Sequence, residues 1–223
     1  GLEHEDICEV TTTANSLLAA YQAAVPHAQR AILVHVGAQS TVLVAMTEGH
    51  AAFAASFPMG GDFFTRSLAR ITRSSEETAE AQKRSQNLLE GPDALPEFAS
   101  VVDGWVAEVR RQMDEWSGEH SGSGHGLRDA PIIAGGLALE QPGLRDYIRN
   151  RAGVNLEPWP FGPADAKAPA GRAPRVSPGF EVAFGTVLQA FRCGTQPVSL
   201  VPEDYRNRWK KRQTRQRIEV ASL

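Results

Sequence analysis

Two β-rich runs, each ending on a small-residue glycine turn, constrain this chain more than any other feature. The first reads Val34-His35-Val36-Gly37-Ala38-Gln39-Ser40-Thr41-Val42-Leu43-Val44. The second, nearly a hundred residues on, reads Ile132-Ile133-Ala134-Gly135-Gly136-Leu137-Ala138-Leu139, followed by Gln141-Pro142-Gly143-Leu144. Short runs dense in branched residues read as buried strands. A glycine directly behind such a strand lets the backbone turn or come close to another group. Two such units separated by helical sequence point to an α/β arrangement.

The intervening sequence fits that frame. Residues 11–24 carry Leu17, Leu18, Ala20, Tyr21 and Ala24 at helical spacing, and Pro26 ends the pattern. Residues 31–37 and 41–47 form two strands of a hairpin, and Ala51–Ser56 a third. Phe63–Ile71 reads as a helix with Asp62 as its N-cap. A second helix starts at Ser74-Ser75-Glu76-Glu77, where Ser74 can cap and Glu77 follows three residues on. A long helix runs from about Leu95 to Trp116, with Phe98, Val101, Val102, Trp105, Val109 and Met113 at intervals of three to four. The stretch 119–126, rich in glycine and serine, reads as a flexible connector. After the second glycine turn come a short helix over Gly143–Arg151, a strand at 154–156, and an irregular stretch over 163–175. A last core helix spans Pro178–Phe191, followed by an apolar extended stub at 198–202 and a polar helix over Glu203–Ile218. No internal repeat is evident.

The 223 residues, 42% of them apolar, suffice for one large domain or two small lobes. A net charge of −3 gives no bulk attraction to nucleic acid. Cys8 and Cys193 stand apart with no Cys-x-x-Cys spacing, which suits a reducing compartment and leaves a disulfide between them open. No run approaches the ~18 apolar residues of a membrane span. The chain reads as soluble but incomplete, opening in mid-pattern and ending on a basic stretch as though an apolar segment should follow.

The chemistry of the turns is that of anion and ring binding. Gly37, Gln39, Ser40 and Thr41 would offer backbone amides and hydroxyls to a phosphate, a nest. The plainer reading is a tight hairpin and nothing more. Gly135 and Gly136 would let a flat ring lie on the backbone, where the plainer reading is an ordinary strand-to-helix turn. Glu80 and Lys83 share a helical face, so that a carboxylate could accept from ribose hydroxyls beside an ammonium. As a solvated pair they would be worth only about 0.2–0.5 kcal/mol.

In order and spacing these elements resemble the actin-like ATPase superfamily and, more narrowly, the PilM family of type IV pilus assembly proteins. That family reads strand-Asp-Ile-Gly-Ala-x-Thr-Thr, a Gly-Gly stretch, a helix with Ala-Glu-x-x-Lys, then strand-Gly-Gly and Pro-Gly-Leu. The matching positions here are His35-Val36-Gly37-Ala38-Gln39-Ser40-Thr41, Pro58-Met59-Gly60-Gly61-Asp62, Ala79-Glu80-Ala81-Gln82-Lys83, Gly135-Gly136 and Pro142-Gly143-Leu144. The closing helix, Val182-Ala183-Phe184-Gly185-Thr186-Val187-Leu188, resembles the family's Ala-x-Gly-x-Ala-Leu helix. The resemblance covers residues 5–195 and only the second half of such proteins. It implies the second lobe of an actin-like (ribonuclease H-like) fold, a mixed sheet flanked by helices, with an inserted helical/β subdomain at about 50–130. Gly37, Gln39, Ser40 and Thr41 would then face phosphate, Glu80 and Lys83 ribose, and Gly135 and Gly136 the base of an ATP held weakly or vestigially.

One position departs from the pattern. The family's aspartate, which helps hold the metal-bound water, is His35 here, and an imidazole does not replace a carboxylate beside Mg²⁺. A partly buried strand histidine satisfied by a neighbour is the expectation, with no metal site and no hydrolysis by this chain. The tail adds a second resemblance. Val198-Ser199-Leu200-Val201-Pro202 is similar to the Asn-Leu-Leu-Pro opening of PilN, and Arg206, Arg208, Lys210, Lys211, Arg212, Arg215 and Arg217 follow it. Basic residues just before an apolar run mark the cytoplasmic side of a membrane. Residues 196–223 are therefore expected to be a juxtamembrane tail, combined with the lobe as in GspL. The resemblance implies a scaffold on the cytoplasmic face of a bacterial inner membrane, in a type IV pilus or type II secretion platform. Its partners would be a PilN-like membrane protein or fused segment, other assembly proteins, and a second copy of itself. The alternatives are an ATPase completed by a missing first lobe, or a basic-tailed nucleic-acid binder. Trp209 alone makes no stacking platform for the latter.

Overall fold

The computed structural model describes residues 10–119, 130–161, 176–191, 198–204 and 207. The expected connector beyond Glu119, the 163–175 stretch, both cysteines and most of the basic tail lie outside the described residues. The rest builds a five-stranded mixed sheet in the order β3-β2-β1-β4-β5. Its strands are β1 (Arg30–Val36), β2 (Thr41–Thr47), β3 (His50–Phe57), β4 (Ile132–Gly135) and β5 (Leu156–Pro158). β1–β2 and β2–β3 are antiparallel, whereas β1–β4 and β4–β5 are parallel.

Both faces of β1 are covered, which explains a strand apolar at successive positions rather than at alternate ones. Ile32, Val34 and Val36 point to one face and join Phe64 and Leu68 of α2 (Gly61–Thr72), Phe98 and Trp105 of α4 (Pro96–Glu119), and Ile148 of α5 (Leu144–Ala152). Ala31 and Leu33 point to the other face and meet Leu17 and Tyr21 of α1 (Thr13–Ala24) together with Trp159. Val182 and Phe184 of α6 (Glu181–Ala190) close that layer. β3 is an edge strand paired along β2, so the first strand of the 50–130 stretch belongs to the central sheet. Among the described residues no helix is long and apolar enough to cross a membrane.

Two helix starts differ from expectation. Asp62 does not cap α2; the N-cap is Gly60, which makes no side-chain cap. The first turn is satisfied from outside, because the Gly61 and Asp62 amides donate to the carbonyls of Gly37 and Ala38, each at 2.8 Å. α3 (Glu76–Ser85) is capped by Ser75, whose hydroxyl accepts from the Thr78 amide. Ser74 is drawn off by the preceding helix end: its amide donates to Ala69 and its hydroxyl pairs with Thr72. At the far end, the stub expected to be extended at 198–202 forms no strand, and Val201 sits at a bend. Val198 donates to Gln189 on α6, Leu200 donates to Val10, and Val201 is buried.

Candidate functional site

At the end of the sheet where β1 and β4 stop, the hairpin turn, the starts of α2 and α3, and the segment after β4 surround a cleft of about 750 Å³. Parallel neighbours β1 and β4 bring their turns side by side, with His35 in register with Gly135. That pairing places together two turns far apart in sequence. Gly37, Glu80, Lys83 and Gly136 all line the cleft. Gly136 has φ of 100°, and a Cβ there would lie 2.2 Å from the Val36 carbonyl oxygen, so no side chain fits.

The other four expected residues do not line it. Gln39 is exposed at the tip of the turn. The Ser40 carbonyl accepts the Gly37 amide at 2.9 Å, closing the hairpin. Thr41 is fully buried; its hydroxyl donates to the Met59 carbonyl (2.6 Å) and accepts from the Trp105 indole (2.9 Å). Gly135 lies behind the surface, covered by Trp159 and Glu181, whose atoms a Cβ would meet at 2.4 and 2.7 Å. The Gly37 and Ala38 carbonyls are taken by α2, and of the turn residues Gly37 and Ala38 are the two that line the cleft.

The Glu80–Lys83 pair is more than a solvated face. Lys83 is 5% exposed, and its ammonium donates to Gly61 O (3.2 Å), Thr65 Oγ1 (2.6 Å) and Glu80 Oε2 (2.5 Å). An ammonium has three donors, so these contacts use its whole capacity. Burial works against a charge on Glu80, but hydrogen bonds from Lys83, Thr65 and Arg84 outweigh it and hold the carboxyl at about 2. The lock ties α3 to the start of α2 and leaves the cleft with few free cations. Asp62, Glu76, Glu77 and Glu140 also line it.

His35 lines the cleft from the end of β1. Its Nδ1 faces Glu181 Oε2 at 3.7 Å, with side chains 12% and 3% exposed. The expected neighbour is therefore present but beyond hydrogen-bond reach, and neither Nδ1 nor Oε2 has a hydrogen-bond partner among the described residues. The other carboxylate oxygen of Glu181 accepts from the Gly179 amide at 3.0 Å. Burial pushes the His35 imidazole below its usual range, and the Glu181 charge partly opposes this. Glu181 escaped the sequence reading, although a lone acid in the apolar run Phe180-Glu181-Val182-Ala183-Phe184 is a signal of buried charge. Thr65 gave no such signal, since only the packing of α2 on α3 places it against Lys83.

The sheet, its flanking helices and the cleft between the two turns define part of an actin-like ATPase fold. The chain is similar to the ethanolamine utilization protein EutJ from Carboxydothermus hydrogenoformans, with a TM-score of 0.58 at 14% identity over 82% of this chain and 56% of that one. It is also similar to the PilM–PilN type IV pilus biogenesis complex, with a TM-score of 0.58 at 21% identity over 80% and 51%. MreB5 of Spiroplasma citri bound to ADP matches with a TM-score of 0.56 at 12% identity over 80% and 58%. The chain thus spans little more than half the length of these solved structures. No protein-family model matches the sequence, and no curated protein matches it.

Proposed function

We propose that this lobe is a non-hydrolysing actin-like scaffold of a type IV pilus or type II secretion platform, on the cytoplasmic face of the inner membrane. The observation that carries the reading is His35 backed by buried Glu181, at the position where the resemblance puts a metal-supporting aspartate. Mg²⁺ requires oxygen ligands, and a histidine that faces another residue's carboxylate supplies none. The likeness to a PilM–PilN complex and the PilN-like, basic tail support a membrane segment as partner. The test is fractionation of the full natural protein. Recovery in the inner-membrane fraction with pilus or secretion subunits is expected, and a monomer confined to the cytosol contradicts the reading.

The second reading, a nucleotide-binding protein completed by a first lobe, is favoured by the meeting of Gly37, Glu80, Lys83 and Gly136 on one cleft. A thermal shift with millimolar Mg-ATP that disappears in EDTA would support it.

A further inference from the structure

We propose that His35, backed by Glu181, is an anion-binding group in the cleft, which takes up a proton so that an imidazolium holds a phosphate-type oxyanion against the Gly37–Ala38 turn without a metal ion. This goes beyond the scaffold reading and holds whether or not that reading does.

The geometry divides the imidazole between two tasks. Nδ1 is buried and faces Glu181 Oε2 at 3.7 Å. The opposite edge lies over the turn, with Cδ2 and Nε2 each 3.8 Å from where a Gly37 Cβ would sit. Protonation gives the ring two N–H donors. One is aimed at the Glu181 oxygen that has no hydrogen-bond partner among the described residues, and the other lies on the ring edge over Gly37, which lines the cleft with Ala38. A carboxylate that is 3% exposed, with one oxygen unpartnered among the described residues, is costly to bury. An imidazolium offsets that cost, and an anion on the cleft side stabilises the imidazolium further. The event is one proton taken from solvent per anion bound, with no covalent bond made or broken.

The surroundings leave few rivals for the role. β2 and β4 place neutral Val42 and Gly135 beside His35, neutral Trp159 covers Gly135, and α6 brings Glu181. The other charged groups lining the cleft are Asp62 on α2, Glu76, Glu77, Glu80, Lys83 and Arg84 on α3, and Glu140 after β4. Both cations among them are engaged by Glu80. The acids oppose a highly charged polyphosphate, so the class of ligand is a compact oxyanion or phosphomonoester.

The test is an NMR pH titration of the histidine-labelled full chain in EDTA, with sodium sulfate as a probe that does not titrate, against sodium chloride at equal ionic strength. Sulfate is expected to raise the His35 midpoint by a unit or more and leave the other histidines unmoved. Its affinity should fall roughly tenfold per pH unit above the free midpoint. Glu181→Gln should lower the midpoint and weaken sulfate, and His35→Asn should abolish the pH dependence while the chain stays folded. An unmoved His35 midpoint at tens of millimolar sulfate, an equal shift with chloride, or binding that needs Mg²⁺ overturns the proposal.

Discussion

Replacing Thr41 with valine separates a structural strut from a ligand. Valine keeps the branched shape and the β preference and removes only the hydroxyl. Thr41 is 0% exposed, and its oxygen joins the Met59 carbonyl at 2.6 Å to the Trp105 indole N–H at 2.9 Å. The bond ties β2 to the loop before α2 on one side and to α4 on the other. Without it, the buried Trp105 indole and the part-buried Met59 carbonyl lose their partner, at about 1–3 kcal/mol each. The added methyl returns about 0.8 kcal/mol. A net loss of about 1–5 kcal/mol should lower the urea midpoint by about 0.5–2.5 M for a slope of about 2–3 kcal/mol/M. Thr41→Ser keeps the hydroxyl and should cost only about 1 kcal/mol for its lost methyl. Urea unfolding followed by tryptophan fluorescence reads both. A Thr41→Val midpoint within about 0.3 M of the parent would refute the strut. So would a stable Thr41→Val chain that no longer binds sulfate.

Three further outcomes follow from the same contacts. Gly185→Ala in α6 should destabilise by about 1–3 kcal/mol in chemical denaturation, because its Cβ would lie 1.8 Å from the Ser16 carbonyl oxygen. That outweighs the ~1 kcal/mol gained in helix propensity, and a more stable variant would contradict the α1–α6 crossing. Gly136→Ala should cost on the order of 3 kcal/mol in the same assay, given its φ of 100° and its contact with Val36. The Glu80 carboxyl sits at about 2, below the ordinary 4.5, so the stability it contributes is complete above pH 4.5 and is lost as pH falls towards 2. Acid unfolding of Glu80→Gln should therefore show a shallower decline over that window, and an unchanged slope would remove the lock from the account.

The sheet and its two turns were legible because strand, glycine and spacing are local features. The helix caps were less so. Asp62 and Ser74 have suitable side chains, but the turn carbonyls of Gly37 and Ala38 satisfy α2, and Ser74 is held by the end of α2. Gly37, Glu80, Lys83 and Gly136 were found by pattern, and the fold converges them. Thr41 and Gly135 carry the same motif but face inward, because a strand side chain alternates and β4 runs beneath Trp159. Glu181 approaches His35 from more than a hundred residues away, and no local spacing announces such a pair.

We propose above that His35 takes this cleft out of metal-nucleotide chemistry. Single-turnover hydrolysis of radiolabelled ATP by the full natural protein, with millimolar Mg²⁺, tests it most directly. No phosphate release above the protein-free blank is expected. Release that depends on Mg²⁺ and disappears in His35→Ala would contradict it.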